Sequence, residues 1–84
     1  MRLFAEPHPV RLDWYEGEPR SLRVADRHWT VVEVLRRWRV DVEWWKGDAA
    51  VARDHLTLRT ADGTVCEVFG DRRTGDWYLQ RLLD

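Results

Sequence analysis

The sequence predicts an antiparallel all-β domain, a small barrel or strongly bent sheet of six to seven short strands, on three observations. Short runs alternate in character with a period of two. Glycine-containing turns separate them. β-branched and aromatic side chains, stiff at χ1 and suited to a pleated surface, fill the runs. Closing such a sheet would remove its unpaired edges.

Residues 1–9 end in Pro7-His8-Pro9, which excludes a helix and predicts an extended lead-in or edge segment. From Val10 to Tyr15 the chain alternates, with Val10, Leu12 and Trp14 on one face and Arg11, Asp13 and Tyr15 on the other. Glu16-Gly17-Glu18-Pro19 reads as a turn, Ser21 to Val24 as a second strand, and Ala25-Asp26-Arg27-His28 as a hairpin tip.

The chain is organised around the next stretch, Trp29 to Trp45, which holds four of the six tryptophans and the densest arginine cluster. Its first part, Trp29 to Trp38, is apolar on both faces at Val31, Val32, Val34 and Leu35, so it is expected to be central or bulged. Beyond it, Val40, Val42 and Trp44 are expected to point inward, and Asp41 and Glu43 outward. A helix over Asp26 to Arg39 competes, with Asp26 as cap, a stripe of Val31, Val34, Leu35 and Trp38, and Glu33 four residues before Arg37.

Lys46 to Ala50 is a loop, and Ala52 to Thr60 sets Leu56 and Leu58 against His55, Thr57 and Arg59. Ala61-Asp62-Gly63-Thr64 is the strongest hairpin signal in the chain, answered by a strand from Thr64 to Phe69. Asp71-Arg72-Arg73-Thr74-Gly75 reads as a type I turn with Gly75 in the left-handed region, and Asp76 to Leu82 as the last strand. No repeat or linker divides residues 1–84, so a single domain is expected.

With 14 basic and 15 acidic residues the net charge is −1, and no global field draws the chain to nucleic acid or an anionic membrane. Binding of that kind would use a local patch. Lysine occurs only at Lys46, Ile and Asn are absent, and Met, Cys and Gln occur once each. This composition suits a GC-rich genome and is compatible with growth at high temperature. A lone Cys66 excludes an intramolecular disulfide. With no apolar leader segment and no run of the roughly 18 apolar residues needed to cross a bilayer, a soluble cytoplasmic protein is expected.

Trp38-Arg39-Val40, Trp44-Trp45, Thr60-Ala61-Asp62-Gly63, and then Asp71, Gly75, Trp77, Leu79, Gln80, Arg81 and Asp84 carry a resemblance. The chain resembles a small bacterial domain of unknown function, found alone and at the C-terminus of the catalytically inactive Y-family-polymerase-like subunit of a DNA-damage mutagenesis apparatus. The likeness covers nearly the whole chain, departing at Arg53-Asp54-His55-Leu56, where the family tends to carry an aromatic. It implies an accessory or docking domain in DNA repair or lesion bypass.

Among chemistry-bearing residues, His8, His28, His55 and Cys66 are metal-ligand types without zinc-site spacing, so no metal and no cofactor is expected. Cys66 with His55 across the Asp62-Gly63 hairpin would make a nucleophile pair, but a strand cysteine between Val65 and Glu67 reads as core. Asp41, Glu43 and Lys46 suggest a metal-dependent nuclease, without the usual Glu-x-Lys spacing. The glycines form no phosphate loop.

The most informative feature is Arg36-Arg37-Trp38-Arg39 followed by Trp44-Trp45. Guanidinium groups pair with phosphates and exposed indoles stack on bases, which suits single-stranded nucleic acid. In the purely structural reading, Trp38 and one of Trp44 and Trp45 are core and the arginines pair with Asp41, Glu43 and Glu33. With Trp44 inward, Trp45 would be exposed beside acidic neighbours that favour a protein partner.

The expectation is therefore a non-enzymatic protein-interaction module, with Trp45 as apolar anchor and Arg36, Arg37 and Arg39 as charged contacts. Its partner would be a protein, with DNA-repair machinery implied only by the resemblance. The alternative is a single-stranded nucleic-acid binder using the same cluster with Tyr78 or Trp14 as further platforms. The nuclease is a weaker third reading.

Overall fold

The computed structural model describes residues 2–42 and 51–83, with side chains from residue 6 onward. Six strands, β1 (Arg2–Tyr15), β2 (Glu18–Val24), β3 (Arg27–Val42), β4 (Val51–Thr60), β5 (Val65–Asp71) and β6 (Trp77–Leu82), form a closed antiparallel barrel in chain order. Pairing of β1 with β6 closes it. The all-β expectation holds, and the helix over Asp26 to Arg39 is replaced by β3, whose β-branched residues suit the ladder better than a helical turn.

Several boundaries differ from the sequence reading: β2 begins at Glu18, inside the expected turn, and β3 at Arg27, inside the expected hairpin tip. The lead-in is part of β1, paired with β6 at Arg2, Leu3 and again from His8. Pro7 and Pro9 are tolerated because this part of β1 has a ladder on the β6 side only. The expected separate segments of Trp29 to Trp38 and Val40 onward are one strand of 16 residues. It carries two β-bulges, between Val31 and Glu33 and between Val34 and Arg36, which leave Val32 and Leu35 as the extra residues.

The turns follow their local chemistry. Glu16 and Gly17 both have positive φ, 51° and 80°, matching a tight hairpin between β1 and β2. At the β4–β5 hairpin Gly63 takes φ 90°, and the Asp62 carboxylate accepts bonds from the Thr60 hydroxyl and, at 3.1 Å, from the Thr64 N–H. These bonds hold its carboxyl below the usual range. Gly75, at φ 83°, donates its N–H to the Asp71 carbonyl at 2.7 Å.

Alternation along each strand sends Leu12, Leu22, Leu56, Leu58, Cys66, Val68 and Leu79 into the barrel, all buried. Register stacks them in layers, Leu56–Val68–Leu79, Leu58–Cys66–Leu82 and Leu12–Leu22–Trp29. Burying each such side chain stabilises the fold by about 1.5–3 kcal/mol. Burial also pushes the Cys66 thiol up to about 11, so it stays neutral in the core.

Ala25, at φ 53°, holds the β2–β3 turn in a conformation that suits glycine. Ala25→Gly should raise the urea midpoint, by about 1 kcal/mol of stability. An unchanged or lowered midpoint would show that the turn is not strained.

Candidate functional site

β3 positions the residues singled out from the sequence. It outruns β2, because the β2–β3 ladder covers only Ser21–Val24 against Arg27–Thr30, whereas β4 pairs with β3 from Val31 to Val42. Among the described residues, β3 from Val31 to Val42 thus has a ladder on one side only. Two clefts of about 300 and 210 Å³ lie where β2 and β3 part, lined between them by Tyr15, Pro19, Val31, Val32 and Val34. Beside them Val32 is 58% exposed and Leu35 39%.

The bulges set the direction of everything beyond them. Val34 lies opposite Leu58 and faces the core, Arg36 lies opposite Thr57 on the outer face, and Arg37 and Arg39 lie opposite Leu56 and Asp54 on the inner one. Trp38, Val40 and Val42 alternate to the outer face, and Asp41 to the inner. This corrects the expectation that Val40 and Val42 point inward: Trp38 is half-buried and Val42 is exposed.

Inward orientation brings Arg37 and Arg39 to the mouth of the barrel. Arg39 Nε donates to Asp54 Oδ1 at 2.8 Å, and Asp54 Oδ1 is also 3.6 Å from Arg72 Nε. Arg37 is bonded to Glu18. The expected carboxylate partners are therefore corrected: Glu33 pairs with Arg59 at 2.6 Å and Asp41 with Arg72, because register rather than sequence proximity brings charges together. Trp14 and Trp77 complete the mouth, their ring centroids 5.5 Å apart and tilted by 56°. Trp77 lies flat over Gly70, where a Cβ would come within 2.6 Å of the indole. With Arg37, Arg39, Asp54 and Leu56 these indoles line a cavity of about 350 Å³.

On the outer face, register aligns Trp38, His55, Phe69 and Tyr78 in one row across β3 to β6. Successive ring centroids are 4.9, 5.5 and 5.2 Å apart, all stacked. Arg36 lies 4.5 Å over Trp38 and Arg53 4.4 Å over Phe69. His55 is buried in this row with Nδ1 3.6 Å from Glu67 Oε1, and Arg81 Nε is 2.8 Å from the other Glu67 oxygen, at an angle that misses a hydrogen bond. Burial lowers the His55 pKa below 6.5, opposed by Glu67.

Of the sequence candidates, the structure thus puts Arg37 and Arg39 together with Trp14, and separates Arg36 and Tyr78 onto the outer face. Trp45, with Trp44, Glu43 and Lys46, lies outside the described residues. Cys66 and His55 stand on opposite faces of the sheet, opposite Leu58 and Phe69 respectively. Among the described residues there is no group of His, Cys, Asp and Glu able to hold a metal, and no helix long and apolar enough to cross a membrane. Trp77, Gly70 and Asp54 were not legible as site residues, since only barrel closure sets them beside β3. Compared with family models, curated proteins and solved structures, the chain matches none.

Two outcomes follow. Gly70→Ala should destabilise the protein by about 1–3 kcal/mol by displacing Trp77, with a change in tryptophan fluorescence; native fluorescence and stability would contradict the close packing. Because the folded His55 pKa lies below that of the unfolded chain, the unfolded state takes up the proton first, so stability is kept above pH 6.5 and lost as pH falls below it. Urea midpoints between pH 7.5 and pH 5 should fall more steeply in the wild type than in His55→Phe, and parallel slopes would remove His55 from the account.

Proposed function

We propose that the chain is a non-enzymatic protein-interaction module that docks an extended segment of a partner along the one-sided part of β3. The observation that carries this reading is the ladder itself, which among the described residues is open from Val31 to Val42 on the side away from β4. An open strand edge offers main-chain donors and acceptors for strand addition, and flanking clefts give alternate side chains their places. The clefts beside Pro19 and Val31 and the exposed Val32 and Leu35 supply such places here.

Arg36, Arg37 and Arg39 lie along the same strand and set charge preferences for the partner, with Trp45 a short distance further along the chain. The resemblance to the accessory domain of a polymerase-like subunit supports a partner in DNA-repair or lesion-bypass machinery. β1 has a one-sided stretch too, but there Pro7 and Pro9 remove donors, and β3 has no proline.

A photo-crosslinker at Leu35, expressed in the native host, should yield an adduct with a protein of that machinery. Val32→Glu with Leu35→Glu should weaken binding of the purified partner by ten-fold or more while leaving the melting temperature nearly unchanged, since both side chains are exposed. Binding unaffected by the double substitution would overturn the site. Saturable, salt-sensitive quenching of tryptophan fluorescence by a long unphosphorylated single strand would replace it with the nucleic-acid reading.

A further inference from the structure

The barrel mouth carries a second arrangement, separate from strand docking. Below it the Leu58–Cys66–Leu82 and Leu12–Leu22–Trp29 layers are apolar, Arg37 joins Leu56, Val68 and Leu79 next to the mouth, and Thr60 is buried at the far end. The mouth layer instead aligns Arg39, Asp54, Gly70 and Trp77 in register, with Arg37 and Trp14 beside them. Barrel packing does not ask for two guanidinium groups there. A six-stranded barrel has no room inside for a ligand, so the mouth is where one can sit.

We propose that this mouth binds a nucleoside monophosphate unit, with its base stacked on Trp14 and its phosphate held by Arg37 and Arg39. Trp14 is 43% exposed, so it offers an open indole face, and Trp77 behind it rests on Gly70. An exposed indole binds a base by stacking. Arg37 and Arg39, two positions apart on one strand face, present two forks to one group, and a phosphate has the acceptors for both.

Their present partners can release them. Asp54 keeps Arg72 within 3.6 Å when Arg39 turns to a ligand, and Glu18, with 63% of its side chain exposed, is left to water. Arg37 and Arg39 against Asp54 leave the cavity lining with a positive excess. Its volume of about 350 Å³ falls at the small end of the usual range for ligand sites.

Calorimetric titration of the full chain at low salt, with adenosine 5′-monophosphate, adenosine, and a 5′-phosphorylated and an unphosphorylated tetranucleotide, tests this. The monophosphate or the 5′-phosphorylated strand should bind at least ten-fold more tightly than its counterpart without the terminal phosphate, adenosine or the 5′-hydroxyl strand. The two arms tell a free nucleotide from a strand end. Trp14→Leu and Arg39→Gln should each weaken that binding by about five-fold or more, whereas the Val32, Leu35 double substitution should not change it. In the wild type, the Trp14 indole N–H resonance should shift during the titration, a readout that needs no variant to fold. No binding up to millimolar concentration, equal binding without the terminal phosphate, or binding that survives both mouth substitutions would overturn the proposal. None of these outcomes bears on docking along β3.

Discussion

Strict alternation along β3, interrupted twice, is the constraint on which the rest of the structure depends. A strand without bulges that points Trp29 and Val31 inward would also turn Glu33 inward. The bulge at Val32 turns Val34 inward instead, and the bulge at Leu35 returns the phase so that Arg37 and Arg39 face the mouth. One extra residue fewer would place Trp38 in the barrel and the arginines on its outside. The bulges also account for the apolar residues on both faces of this strand, because Val32 and Leu35 are the residues left over.

The narrow interior explains how the aromatic residues are distributed. Two layers deep in the barrel are filled by Leu56, Val68 and Leu79 and by Leu58, Cys66 and Leu82, with no room for a ring the size of an indole. Trp29 packs against the core beside Leu22, and most of the other large rings go to the mouth, as Trp14 and Trp77, or form the outer row of Trp38, His55, Phe69 and Tyr78. On the outside, apolar rings are shielded by cations, Arg36 over Trp38 and Arg53 over Phe69, which keeps His55 and Phe69 buried on a face that would otherwise be wet.

A short β2 links the fold to both proposed sites. Because β2 ends its ladder with β3 at Thr30, the two strands part beyond that point, which among the described residues leaves β3 from Val31 onward with a ladder on the β4 side only. Glu18, at the start of β2, reaches Arg37 across this gap. Docking along the edge and binding at the mouth would thus share a strand and two arginines, Arg37 and Arg39, while the main-chain edge would serve only the docking.

The sequence by itself determined the strands, most of the turns and most of the core. Period-two alternation around Leu56 and Leu58, and the glycines at 17, 63 and 75, are local signals that the fold obeys. It also singled out β3 as the organising stretch and flagged that a bulge could resolve its two apolar faces. What only the tertiary structure decided is which face Arg37, Arg39 and Val40 take and with which carboxylates the arginines pair. Closure decided that Trp77, Gly70 and Asp54 meet them at the mouth. Each depends on bulge positions and on registers between residues such as Arg37 and Glu18, 19 positions apart, and a pairing of that range has no local signature in the chain.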